Sequence, residues 1–222
     1  LKWIFMALTI SPISLTYLIA GSVSADGRYL AYISLQGGLI EIRDMVTGSV
    51  TKLANPEGVS GPRYPVISPD GSKVAFHGYS AASMNSQVWV LDWQSNQARL
   101  VSTDANGVVA NSNADYKLSF SADNRYLVFS SVASNLVPGD NNGAEDVFRK
   151  DLSTGEIQLV SSNGAWEIGN KESSEGRISA DGRFVVFHSA ASNLLGARAG
   201  EDHLYVKDMD TGTVRFVDQN AD

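Results

Sequence analysis

Four times along this chain the same phrase returns: SADGRYLAY at 24–32, SPDGSKVAF at 68–76, SADNRYLVF at 121–129 and SADGRFVVF at 179–187. Each is answered by a second phrase, RDMVTG at 43–48, LDWQSN at 91–96, KDLSTG at 150–155 and KDMDTG at 207–212. Both phrases are turn sequences set between short apolar runs. In Ser68-Pro69-Asp70-Gly71, Pro presets φ at the second position of a type I turn, Asp suits the third, and Gly accepts the positive φ that follows. The third repeat has Asn124 where the others have Gly27, Gly71 and Gly182. The second phrase likewise has Asn96 where the others have Gly48, Gly155 and Gly212. Asn is the next residue to tolerate the left-handed region, so both exchanges report one backbone requirement. On this reading Asn is also expected to be tolerated in place of Gly71 or Gly182.

Strands lie between the turns. Tyr29–Ile33, Lys73–His77, Tyr126–Ser130 and Phe184–His188 carry an aromatic at one shared position, Tyr32, Phe76, Phe129 and Phe187, after a small or branched residue. They are apolar on both faces, as in a sheet covered on both sides. A third strand follows at Ile40–Arg43, Val88–Leu91, Val147–Lys150 and Leu204–Lys207, where Trp89, Phe148 and Tyr205 align and Glu41 departs. The fourth, at Val50–Leu53, Ala98–Val101, Ile157–Val160 and Val214–Val217, is shorter and more polar, as an edge strand should be. Repeats of this size made only of strands and tight turns are stacked blades. The expected fold is all-β: a β-propeller, or propeller segment, with four blades of four antiparallel strands near 15–54, 64–102, 116–161 and 175–217. The first-turn Asp residues lie 44, 53 and 58 positions apart. The added length falls in Ser/Asn/Gly-rich segments, within blades at 78–86, 131–146 and 189–203 and between blades at 103–115 and 162–174. Ligand contacts are expected there. If the arc does not close, Leu30 and Tyr32 of the first blade and Phe187 and Tyr205 of the fourth are expected on open faces.

The chain carries 24 acidic against 17 basic residues, net −7, which argues against nucleic acid as a partner. It has no cysteine, so disulfides, thiolate zinc sites and a Cys nucleophile are excluded. Residues 3–20, WIFMALTISPISLTYLIA, hold no charge and follow Lys2. As a membrane span this run is at the short limit and is broken by Ser11-Pro12. Residues 1–14 read instead as a secretion leader running into a first strand. An integral membrane protein is not expected, apart from that leader.

The S-[PA]-D-G-[RK]-x-[LV]-[AV]-[FY] phrase, with a hydrophobic strand ending in Asp-x-x-T-G, resembles the TolB-type, WD40-like (PD40) β-propeller repeat family. The likeness runs from about residue 15 to the end, and SNLVPGDNNGAEDVF at 134–148 is a further variant of it. The resemblance implies a periplasmic or secreted propeller, usually of six to eight blades, acting as a non-enzymatic module that binds a protein partner. It brings no catalytic motif and no cofactor. Two alternatives stay open: the gating propeller of a prolyl-oligopeptidase-like hydrolase, or a lyase acting on acidic polysaccharide.

Asp140, Asn142, Glu145 and Asp146 make a compact oxygen-rich loop, the candidate metal site, with calcium as the ion. The competing reading is a turn whose side chains cap their own backbone. His77 and His188 share one repeat position, as metal ligands or as a position tolerant of many residues. His203, beside Asp202, reads as a surface residue. Asp44, Asp92, Asp151 and Asp208 recur in every blade, as do Asp26, Asp70, Asp123 and Asp181. A group used in every blade is structural, and these are expected to accept backbone N–H bonds in their turns. Trp89 reads as core. Trp93 and Trp166 lie in turns and either stack a sugar or peptide or serve the fold.

Overall fold

The computed structural model describes residues 21–35, 37–114, 117–196 and 201–217. Its sixteen strands form four antiparallel sheets of four, each in chain order. Blade 1 holds β1 to β4 (Ser22–Val23, Tyr29–Ile33, Ile40–Asp44, Val50–Lys52) and blade 2 holds β5 to β8 (Val59–Ile67, Lys73–Ser80, Asn85–Asp92, Gln97–Leu100). Blade 3 holds β9 to β12 (Ser119–Phe120, Tyr126–Ser131, Asp146–Asp151, Ile157–Leu159) and blade 4 holds β13 to β16 (Ser173–Ile178, Phe184–Ser189, His203–Asp208, Val214–Phe216). The four-blade, four-strand expectation therefore stands as a propeller segment. The proposed leader at 1–14, Trp3 and the stretch 15–20 lie outside the described residues.

The recurring turn residues tie the blades from within. Ser24, Ser68, Ser121 and Ser179 each donate from Oγ to the Asp two positions on. The same Oγ accepts the N–H five positions on, at 2.9 Å in all four blades. In the second phrase Asp44, Asp92, Asp151 and Asp208 accept backbone N–H groups two or three residues ahead, as expected. A link between the two phrases was not foreseen. Arg28, Arg125 and Arg183 cross to Asp44, Asp151 and Asp208 at 3.0, 2.7 and 2.7 Å. The Arg183 guanidinium, helped by backbone N–H bonds, holds the Asp208 carboxyl well below the usual carboxylate range. Blade 2 has Ser72 in the Arg position.

Strand alternation decides which neighbour each residue meets. Phe76, Phe129 and Phe187, paired across strands with Trp89, Phe148 and Tyr205, point to the preceding blade. Ala31 and Ile42, Ala75 and Val88, and Val128 and Val147 point to the following one. Three cores result, between blades 1 and 2, 2 and 3, and 3 and 4, and each sets large rings against small or branched residues. This corrects the expectation for the last blade. Phe187 and Tyr205 are fully buried against blade 3, and the outward side of blade 4 carries Val186, His188, Leu204 and Val206 instead. In blade 1 the outward side carries Leu30, Tyr32, Glu41 and Arg43. Glu41 breaks the aromatic pattern because it lies on that side, where Tyr32 Oη donates to it at 2.7 Å and Lys52 approaches at 3.6 Å. Burial and this bond to Glu41 push the Tyr32 hydroxyl up to about 12.

The glycines at the first turn also meet the preceding blade. A Cβ on Gly71 or Gly182 would run into the ring of Tyr29 or Tyr126, and both glycines have positive φ, +76° and +77°. Asn is therefore not interchangeable with Gly at these two positions, against the sequence expectation. Asn124 keeps the left-handed φ of 59°. It is accommodated because the residue equivalent to Tyr29 and Tyr126 in the blade before it is Lys73.

Candidate functional site

The short turns sit at one end of the blades. The loops between second and third strands, together with the connectors between blades, sit at the other. That loop-bearing end is built by a second set of repeated contacts. The connectors following β8 and β12 each turn tightly, with Asp104 Oδ1 accepting the N–H groups of Asn106 and Val108 and Asn163 Oδ1 accepting those of Ala165 and Glu167. A lysine from the next blade grips each start. Lys150 Nζ donates to Thr103 O, Thr103 Oγ1 and Asp104 O, and Lys207 Nζ donates to Ser162 O, Ser162 Oγ and Asn163 O. Burial pushes both ammonium pKa values down to about 8.

Further along, each connector is clasped to the next blade's loop by four bonds. The Asn111 N–H donates to Asn135 Oδ1, Asn111 Nδ2 to Ser134 Oγ, the Ser134 N–H to Asn111 Oδ1, and Asn135 Nδ2 to Val109 O. Asn170, Ser192, Asn193 and Ile168 repeat the arrangement at 2.8–3.0 Å. Sequence reading located these loops but missed the clasp. Its signal was present in the Ser-Asn pairs at 134–135 and 192–193 and in the Asn residues at 111 and 170.

On this end, three residues past the aromatic of the second strand, stand Leu35, Tyr79 and Val132, exposed by 63, 44 and 45%. Ala190 holds the place in blade 4. The first strands of blades 2 and 4 are bent. β5 and β13 shift register, and Tyr64 and Glu175, both four residues before the turn Ser, take φ of 51° and 58°. Left-handed backbone at such residue types costs about 1–3 kcal/mol. Nothing in Tyr or Glu as residue types announces it. Glu175 pairs with Lys117 of blade 3 at 3.4 Å.

Residues of the candidate metal loop also make bonds within the blade. Asp146 is buried, with Oδ1 accepting from Ser161 Oγ and Oδ2 from Asn142 Nδ2, while that same Nδ2 also donates to Gly169 O. In blade 2 the single residue Gln87 performs both tasks, accepting from Ser102 Oγ and donating to Ala110 O. Asp146 and Asn142 thus divide the work of one glutamine. Asn142 Oδ1 accepts the Ala144 N–H, the Glu145 carbonyl accepts the Ser173 N–H, and Asp140 lies buried nearby. Among the described residues no group of three or more His, Asp or Glu side chains converges on one point.

Burial, outweighing the bonds from Ser161 and Asn142, pushes Asp146 up to about 6. Between its ordinary value and about 6 the folded protein therefore holds a proton that the unfolded chain has lost, and stability falls as pH rises through that window. Asp146→Asn, which has no titrating group, is expected to remove this slope. Urea melts from pH 4 to 7 check this, and identical slopes in the two proteins contradict it.

The histidines do not form a pair: His77 is buried on the side of blade 2 facing blade 3, and His188 lies on the outward side of blade 4, with Nδ1 3.3 Å from Asp202. His203 is buried rather than superficial, edge-on to Tyr205 and Phe216. Trp89 is partly buried and packs on the core between blades 1 and 2. Trp93 serves the fold, edge-on to Tyr29 and donating from Nε1 to Gly71 O at 2.7 Å. Trp166 holds the Lys207 ammonium 4.1 Å above its ring.

Comparison with solved structures agrees with this architecture. The chain is similar to TolB from Acinetobacter baumannii (20% identity, TM-score 0.58, covering 90% of this chain and 43% of that one). It is similar to a putative TolB from Agrobacterium tumefaciens (18%, 0.61, 91% and 62%). It is also similar to the β-propeller domain of the Trilobed protease from Pyrococcus furiosus (18%, 0.57, 92% and 58%). At such identities the likeness concerns the fold, and the chain spans about half the length of these proteins. No curated protein matches it. The family model of the TolB beta propeller domain matches residues 10–221, and the chain belongs to that family.

Proposed function

We propose that the chain is a protein-binding segment of an extracytoplasmic propeller and that it engages its partner through the loop-bearing end. The observation that carries this reading is the recurrence of Leu35, Tyr79 and Val132, large exposed apolar residues at one equivalent position in three blades. Folding gives no reason to repeat such exposure, whereas a contact surface does. The clasps beneath support it, because a surface already ordered loses little conformational freedom on binding. The net charge of −7 fits a protein partner rather than nucleic acid. The uncharged N-terminal run and the absence of cysteine are compatible with export to the periplasm or beyond. Among the described residues no helix is long and apolar enough to cross a membrane.

A photo-crosslinking residue at Tyr79 or Val132, in cells that make the protein, is expected to give a discrete adduct. The same residue at Thr51 or Arg215, on outer strands, is expected to give none. Absence of adducts at both Tyr79 and Val132, or equal adducts at all four, overturns the proposal. The likeness to a protease propeller supports a second reading, in which this segment gates a catalytic domain of a longer chain. In that case the adduct forms within one polypeptide.

A further inference from the structure

At the turn-bearing end, the junctions between blades 1 and 2 and between blades 3 and 4 are plugged by an aromatic ring. Tyr29 sits against Gly71 beside Trp93, and Tyr126 sits against Gly182 under the Arg149 guanidinium, 4.3 Å from the ring. The middle junction has neither the ring nor the glycine. It has Lys73 and Asn124, and a cleft of about 550 Å³ opens there between blades 2 and 3. That lies within the size range of small-ligand sites.

A third departure from the repeat faces the same cleft. In blades 1, 3 and 4 the second-turn Asp binds an arginine that lies over the adjacent ring: Arg28 over Tyr29 at 4.9 Å, Arg125 over Tyr126 at 4.8 Å and Arg183 over Phe184 at 4.9 Å. Blade 2 retains the carboxylate, Asp92, but has Ser72 and Lys73 where the arginine and the ring belong. Asp92 Oδ1 accepts the Ser95 N–H at 3.0 Å; among the described residues it makes no close ion pair like those of its three counterparts, and the cation acting on it is Lys73, its cross-strand neighbour. Lys73 Nζ makes a single long bond of 3.4 Å to Ser72 Oγ. The other cations at the cleft are engaged: Arg125 with Asp151, and Arg99 with the Leu152 carbonyl.

We propose that this cleft binds an arginine side chain of a partner peptide, with the guanidinium on Asp92 and a neighbouring carboxylate of the peptide on Lys73. The proposal stands independently of the loop-end reading. A guanidinium suits Asp92 because the fold places one on the equivalent Asp in every other blade, and its planar fork matches a carboxylate as an ammonium does not. The alkyl stem would pack beside Val90 and Leu152, buried residues that line the cleft. The ammonium of Lys73 would repel a lone guanidinium but favours one that carries its own anion close by.

The test uses the full 222-residue chain, with N-acetyl-arginine as probe and backbone amide shifts at Ser95, Leu152 and Ser153 as the readout. Saturable binding is expected in the millimolar range, about 1–10 mM, as suits one partly exposed ion pair. N-acetyl-citrulline, which lacks the charge, should bind at least about 10-fold more weakly. N-acetyl-arginine methylamide, which lacks the carboxylate, should bind several-fold more weakly. Asp92→Asn should abolish binding. Ser72→Arg should also abolish it while leaving the melting temperature unchanged or higher, because it restores the arginine that three blades already contain. Equal binding of citrulline, unchanged binding to Ser72→Arg, or no shift up to about 20 mM overturns the assignment. Equal binding of the methylamide overturns the role given to Lys73.

Discussion

Gly182→Val is expected to destabilise the protein by about 3–5 kcal/mol, far more than the same change at Gly27. Both positions belong to the same turn of the repeat. Gly27 has open space around it, so Val there pays for the left-handed backbone alone, about 1–2 kcal/mol. At Gly182 the new side chain also collides with Tyr126. That ring is stacked under Arg149, whose guanidinium donates to the Gly182 carbonyl and to Gln158. Displacing it disturbs the junction between blades 3 and 4. Asn separates the two effects, because it tolerates the backbone but not the collision. Gly27→Asn should therefore cost under about 1 kcal/mol, and Gly182→Asn clearly more. Combining Tyr126→Lys with Gly182→Asn copies the natural pair Lys73 and Asn124, and its cost should be smaller than the sum of the two single changes. Denaturant melts decide it. Equal costs at Gly27 and Gly182 would remove the contact between blades from the account.

Lys207→Met is expected to cost about 3 kcal/mol, and the loss should be local to the connector at 162–173. The side chain is fully buried and its ammonium satisfies three oxygens of that connector. Met preserves most of the volume, so the change removes donors rather than packing. Relief from burying a charge works in the opposite direction. The orphaned acceptors each cost about 1–3 kcal/mol when buried, which is the larger effect. Amide exchange across Asn163–Gly169 should accelerate in the variant while the β14 amides stay protected. Uniform acceleration of all of blade 4 would show that the lysine supports the sheet rather than the connector.

The strands and turns were legible in the sequence because each is a local matter. A Gly or Asn at a left-handed position, or an aromatic at one shared strand position, can be counted along the chain. What was not legible depends on which blade a side chain faces. The incompatibility of Asn with Gly71 is set by Tyr29, 42 residues earlier in the preceding blade. The same alternation placed Phe187 and Tyr205 inward when they were expected on an open face. The acidic loop at 140–146 looked like a set of ion ligands because its residue types fit. Only the pairing of Asp146 with Ser161 and of Asn142 with Gly169 reveals that these two residues also make the contacts Gln87 makes in blade 2. The clasps formed by Asn111 and Asn170 lay between, visible as a recurrence once the two connectors are aligned.

The central claim is that the loop-bearing end is a preformed surface rather than a fringe of loops. Hydrogen exchange at four amides tests it most directly: Asn111, Ser134, Asn170 and Ser192. Asn111, Ser134 and Asn170 are exposed and Ser192 is half-buried, and all four N–H groups donate to asparagine side chains of the clasps. They are expected to exchange as slowly as amides of the neighbouring strands, and Asn135→Ala should release Asn111 and Ser134 while leaving Asn170 and Ser192 protected. Exchange of all four at the rate of free loop amides in the unmodified protein would contradict the claim.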